Sequence, residues 1–138
     1  MTKRKLIFIF YLIWIILVLS SCNDKLEVQQ KYLFTVTTMP AQSEIAEGET
    51  VEIRFQIHSE GHFEETEYFI RFFQTDGKGV LMLEDGTVLL PNDLYLLPSD
   101  KFRLNYTSSC TEQQKIDVYI EDNFGQMEML GFGWRNEK

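Results

Sequence analysis

His58 and His62 are the two histidines of this 138-residue chain, and a His-x₃-His spacing can hold a metal when both lie on one helical turn. Here they flank Ser59-Glu60-Gly61, a loop-type segment, and the spacing is better read as two solvated loop histidines. Glu60, Glu64, Glu65 and Glu67 crowd the same stretch. A pair of carboxylates can hydrolyse a glycoside when a fixed separation gives them different roles. Four acids on a loop provide no such division, and a solvated acidic loop follows. Glu121-Asp122-Asn123 could offer oxygens to calcium, which takes about six to eight, but Asp76, Glu84 and Asp85 belong to other turns. Asp and Asn making local backbone bonds is the simpler role, with a weak calcium site at this turn left open. No Gly-x-Ser-x-Gly elbow and no phosphate-cradling glycine loop occurs. The sequence therefore predicts no enzyme, no catalytic residue, no metal and no cofactor.

The one residue with a definite chemistry is Cys22. Residues 6–19 are an unbroken apolar run preceded by Lys3, Arg4 and Lys5. Fourteen helical residues span about 21 Å, short of a hydrocarbon core of about 30 Å. That length and the basic start match a secretory signal. Leu19-Ser20-Ser21-Cys22 then resembles the bacterial lipoprotein signal. In that signal small residues leave the scissile bond accessible and the cysteine thiol takes the lipid, which implies that role for Cys22. A signal anchor with an incidental cysteine is the alternative. Acyl chains contribute about 0.8 kcal/mol per buried CH₂, enough to hold a multiply acylated protein on a membrane. Residues 1–21 are thus expected to be a lipoprotein signal peptide, and residues 22–31 a polar tether. Lipidation of Cys22 leaves Cys110 alone, and no function is assigned to it.

Past residue 21 the chain carries ten Lys plus Arg against twenty-one Asp plus Glu, a net of −11 where the whole chain has −8. That balance argues against nucleic acid as a partner, because affinity for phosphate backbones comes from clustered cations. From Tyr32 onward the hydrophobic period is two. Val51, Ile53, Phe55 and Ile57 alternate with Glu52, Arg54, Gln56 and His58. Phe102, Leu104 and Tyr106 repeat the pattern, as do Ile116, Val118 and Ile120, which is the mark of half-buried antiparallel strands. Residues 32–38, 66–74, 80–83, 87–90 and 126–134 supply further strand candidates, separated by turn glycines and by Asp85-Gly86. About seven or eight short strands predict an all-β, immunoglobulin-like antiparallel sandwich over residues 32–138. A small barrel is the alternative.

Four blocks carry a family resemblance. They are Tyr68-Phe69-Ile70-Arg71-Phe72-Phe73-Gln74 with Asp76-Gly77-Lys78-Gly79, then Asp85-Gly86-Thr87-Val88 with Leu90-Pro91-Asn92-Asp93. Phe102-Arg103-Leu104-Asn105-Tyr106-Thr107-Ser108 follows. The last is Gln113-Gln114-Lys115-Ile116-Asp117-Val118-Tyr119-Ile120-Glu121-Asp122-Asn123-Phe124-Gly125-Gln126. In this order they resemble the TraQ family, small envelope proteins encoded in conjugative transposons of Bacteroides-type bacteria. The resemblance implies an immunoglobulin-like fold and a part in transfer of a mobile element. It supplies no catalytic motif.

The expected function is that of a lipid-anchored, non-enzymatic accessory protein of a conjugative DNA-transfer apparatus. It would sit in the cell envelope, on the outer membrane, and bind other envelope proteins of the apparatus. A small-ligand or glycan-binding module is the alternative. Residues 66–74 are apolar on both faces; Tyr68, Ile70 and Phe72 make the better core set because Arg71 lies between Phe69 and Phe73. Pairing with residues 115–121, and of those with 126–134, would place Phe69, Arg71, Phe73, Tyr119, Met127 and Met129 outward as a partner face, with Gly131 and Gly133 leaving bare backbone. Aromatics, Met and Arg are the types enriched in interface cores. The competing expectation is that residues 80–97 fold over this face and bury it. Cys22→Ala should abolish acylation and release the protein from membranes, measured by labelled palmitate incorporation; label retained in the variant would refute the lipid-anchor reading.

Overall fold

The computed structural model describes residues 2–19 and 32–137. Cys22 and the tether expected over residues 22–31 lie outside the described residues. The apolar run forms α1 (Thr2–Leu19), with the large apolar side chains of residues 6–18 exposed. No helix among the described residues is long and apolar enough to cross a membrane.

Everything from β1 (Phe34–Thr38) onward is strand and turn. The elements are β2 (Glu44–Ile45), β3 (Thr50–Ser59), β4 (Tyr68–Asp76), β5 (Gly79–Leu83), β6 (Val88–Leu89), β7 (Tyr95–Leu96), β8 (Lys101–Ser108), β9 (Gln114–Asp122) and β10 (Met127–Asn136). They form two sheets, ordered β1-β3-β8-β5-β6 and β2-β10-β9-β4-β7. The alternation in sequence is the alternation in burial: β3 buries Val51, Ile53, Phe55 and Ile57, and β9 buries Ile116, Val118 and Ile120. Leu104 and Val118 are wholly buried between the sheets. The pairings β1-β3-β8-β5 and β10-β9-β4 are the strand arrangement of an immunoglobulin-like sandwich.

Two particulars correct the sequence reading, and the competing expectation for residues 80–97 is not what is found. The described residues hold ten strands rather than seven or eight, because β2 and β7 are each two residues long and too short to show a period. The sheets are not wholly antiparallel: β2 runs parallel to β10 through Arg135↔Glu44 and Asn136↔Ile45. Residues 80–97 do not fold over the second sheet. Their first half pairs with β8 and itself in the first sheet, and Tyr95–Leu96 extends the second sheet beside β4.

No disulfide joins the sheets among the described residues, where Cys110 is free. A buried polar cluster does so instead. The Tyr106 hydroxyl on β8 donates to Gln114 Oε1 on β9 at 2.6 Å and accepts from Gln74 Nε2 on β4 at 3.0 Å. Gln114 Nε2 in turn donates to Ser108 Oγ at 2.6 Å. The Tyr106 ring stacks on Trp134 of β10, with centroids 4.6 Å apart and planes 7° from parallel. Room for that ring comes from Gly79, where a Cβ would stand 2.3 Å from Tyr106 Cζ.

Burial pushes the Tyr106 phenol above its ordinary value of 10.0, while the hydrogen bond with Gln74 pulls the other way. The unfolded chain therefore ionises first as pH rises. The phenol's share of stability is complete below about pH 10 and is lost as pH climbs towards the raised folded value. Tyr106→Phe should cost about 1–3 kcal/mol by leaving the buried Gln114 Oε1 without its donor. It should also flatten the alkaline fall in melting temperature; a wild-type slope retained in the variant would place that titration elsewhere.

Candidate functional site

The outward face of the second sheet is assembled by register. Leu96, Phe69, Glu121 and Met127 form one row across β7, β4, β9 and β10. Arg71, Tyr119 and Met129 form the next, then Phe73, Asp117 and Gly131. All six side chains expected at a partner face thus share one surface. Met127 and Met129 are more than half exposed, at 55% and 57%. Phe69, Arg71, Phe73 and Tyr119 are half-buried, because neighbours across the strands shield them. Phe73 and Tyr119 meet edge to face at 5.6 Å and 86°. Arg71 Nη2 approaches Glu121 Oε2 at 4.0 Å, the outer limit of an ion pair. Its Nε is shielded from solvent and has no hydrogen-bond partner among the described residues. A guanidinium is thus held among rings with bonding capacity unused.

Leu96, 56% exposed, extends this face and was not foreseen. It lies on the two-residue β7, where the only signal was the apolar character of residues 94–97.

The β9–β10 turn sets where Met127 begins. Asp122 is 6% exposed; its Oδ1 accepts from Phe124 N at 3.0 Å and Gln126 N at 2.8 Å, and its Oδ2 from Gln126 Nε2 at 2.7 Å. Gly125 supplies the φ of +85° that closes the turn. Asn123 pins the neighbouring acidic loop: its Oδ1 accepts from Glu67 N and its Nδ2 donates to the Glu65 carbonyl, both at 3.0 Å. The turn's oxygens are thus used in building the hairpin, which is the role weighed against calcium above. Glu60, Glu64, Glu65 and Glu67 are exposed. His58 Nε2 lies 2.9 Å from Thr37 Oγ1 on the adjacent strand, and His62 stands exposed in the loop. No group of three or more potential metal-binding side chains gathers among the described residues. Cys110 Sγ, half-buried, accepts from Lys78 N at 3.3 Å.

On the other sheet, a shallow depression of about 460 Å³ lies between β1, β3 and β8. Phe55 and Phe102 in its wall stack on each other at 4.9 Å and are each 3% exposed. Neither ring offers the open face that sugar binding usually employs.

The chain matches the TraQ conjugal transfer protein family over residues 5–137. It belongs to that family. Solved structures similar to this TraQ-family chain include three Bacteroides proteins. A lipoprotein from Bacteroides thetaiotaomicron is 55% identical, with a TM-score of 0.71 over 84% of this chain and 89% of that one. A conjugative transposon lipoprotein from Bacteroides eggerthii is 44% identical, with a TM-score of 0.72 over 77% of this chain and 100% of that one. A conjugate transposon protein from Bacteroides vulgatus is 53% identical, with a TM-score of 0.69 over 81% and 91%. No curated protein matches the chain.

In this TraQ-family chain the face depends on the hairpin that presents it. Asp122→Ala removes the acceptor for three N–H groups and should cost about 2–3 kcal/mol. Amide exchange at residues 124–127 should accelerate while the β3–β8 amides stay protected; unchanged exchange at the turn would show that Asp122 does not hold it.

Proposed function

We propose that this TraQ-family chain is a lipid-anchored, non-enzymatic accessory protein of a conjugative-transposon transfer apparatus, working through protein–protein contacts in the cell envelope. In this reading residues 1–21 are removed as a signal peptide, Cys22 carries the lipid on the outer membrane, and residues 22–31 tether a domain over 32–138. The family match and the two similar structures described as lipoproteins support the anchor and the setting.

The observation that carries the contact reading is the composition of the second sheet's outer face. Phe69, Phe73 and Tyr119 surround an Arg71 whose Nε lacks a partner among the described residues, and Met127, Met129 and Leu96 lie exposed beside them. A guanidinium framed by rings and thioethers is the chemistry found at the centre of protein interfaces. An incoming chain with a carboxylate or carbonyl can give Arg71 a fuller set of bonds than Glu121 gives at 4.0 Å. The partners in this reading are other envelope proteins of the apparatus, with no nucleic acid bound by a mature chain of net charge −11.

Phe73→Ser and Tyr119→Ser should each leave the melting transition cooperative, because both side chains face away from the core. Each should lower transfer of the element about tenfold or more, the loss expected when an interface hot spot is truncated. Transfer at the wild-type frequency in both folded variants would place the contact surface elsewhere.

A further inference from the structure

The two edges of β10 are unequally satisfied. Its even-numbered residues bond to β9: Gln126 O accepts from Asp122 N at 3.0 Å, in step with the register Glu128↔Ile120 to Trp134↔Gln114. Its odd-numbered residues point the other way, where Arg135 N donates to Ser43 O at 2.9 Å and Glu137 N to Ile45 O at 3.1 Å. On that side β2 pairs only with Arg135 and Asn136. The N–H and C=O groups of Met127, Met129, Gly131 and Gly133 therefore face an open edge, with no partner among the described residues.

Natural sheets protect such edges with Lys, Pro or a bulge. Residues 127–133 have no Lys, Pro or bulge and a single charge, the exposed Glu128: they read Met-Glu-Met-Leu-Gly-Phe-Gly, and their register with β9 is unbroken. The glycines are not required by the single chain either. A Cβ at Gly131 would meet Asp117 Oδ1 at 3.4 Å, and one at Gly133 would meet Gln114 O at 3.6 Å, both ordinary contacts. Neither glycine has a positive φ. Glycine inside a strand costs entropy without packing anything, and it marks places where another backbone comes close.

The sequence of this edge is complementary to itself. Turned antiparallel about Leu130, it sets Met127 opposite the partner's Gly133 and Met129 opposite the partner's Gly131. All four are residues whose backbone groups point outward, so N–H meets C=O in the closely spaced pairs of an antiparallel ladder. Each exposed thioether then lies beside bare backbone instead of a second large side chain. Glu128 falls opposite the partner's Phe132, which separates the two Glu128 carboxylates by about 13 Å along the strands. That exceeds a Debye length of about 8 Å, so the like charges are screened.

We propose that two copies of this chain pair through the β10 edge, residues 127–133, about a two-fold axis at Leu130. The pairing joins their second sheets into one continuous sheet. It rests on the edge alone and not on the reading of the outer face as a docking surface.

The test is the mass of the full acylated chain in detergent, by sedimentation with bound detergent subtracted. Two polypeptides per particle are expected. Met129→Pro deletes an N–H that has no partner among the described residues, and Gly131→Lys sets a cation beside its own Asp117 and against the partner's Met129. Met129→Pro removes one ladder bond per copy and should weaken pairing about tenfold or more. Gly131→Lys should weaken it in the same direction, and each variant should still melt in one cooperative transition. Val88→Lys, on an exposed position of β6 in the other sheet, should pair like wild type. Should Met129→Pro fail to fold, Gly131→Lys decides. One polypeptide per particle for wild type, or pairing that survives the folded edge variants, would overturn the proposal. The mating assay of Phe73→Ser and Tyr119→Ser is independent, so either reading can fail without the other.

Discussion

The hydroxyl of Tyr106 is the point on which the two sheets agree. It belongs to β8 in one sheet and bonds to Gln114 and Gln74 of β9 and β4 in the other. Polar atoms at full burial tolerate few arrangements, because each alternative leaves a donor or acceptor dry. Apolar contacts such as Ile70, Leu104 and Val118 stabilise the sandwich but slide at modest cost. The Tyr106–Gln114–Ser108 chain fixes the offset of β8 against β9, and stacking on Trp134 extends that constraint to β10. The rows of the outer face exist because the strands beneath them cannot shift.

Much of this arrangement was legible in the residues. Strands that alternate, β3, β8 and β9, announce themselves because one face meets the core and the other meets water. The parity choice in β4 followed from Arg71, since a guanidinium between Phe69 and Phe73 is incompatible with an inward set. Elements whose cause is not local escaped notice. β2 and β7 exist because β10 and β4 offered edges to passing chain, and no period of two can be read in two residues. The core role of Gln114 was equally hidden. Its type suggests solvent, and only the approach of Tyr106 from the other sheet makes its burial tolerable.

The site shows the same division. That Phe69, Arg71, Phe73, Tyr119, Met127 and Met129 share a face follows from counting along three strands. The half-burial of four of them does not, because shielding depends on which neighbours the register brings alongside. Asp122 illustrates the difference between composition and use. An acid in a Glu-Asp-Asn turn is chemically eligible for a cation, yet a carboxylate surrounded by three N–H donors is occupied in shaping the backbone.

The place where the chain enters the sandwich has a mechanical meaning. Gln126 Nε2 donates to the Tyr32 carbonyl at 2.7 Å, and two residues later the chain becomes β1, laid antiparallel on β3 from Phe34↔Ser59 to Thr38↔Phe55. Tension arriving from the N-terminal side along the axis of β1 loads those ladder bonds in shear, so they resist together instead of opening one by one. Part of the same load passes through Gln126 into the turn that starts β10. The strand bearing Met127 and Met129 therefore lies on the line of force, and a pull on the chain's start is felt at its last hairpin.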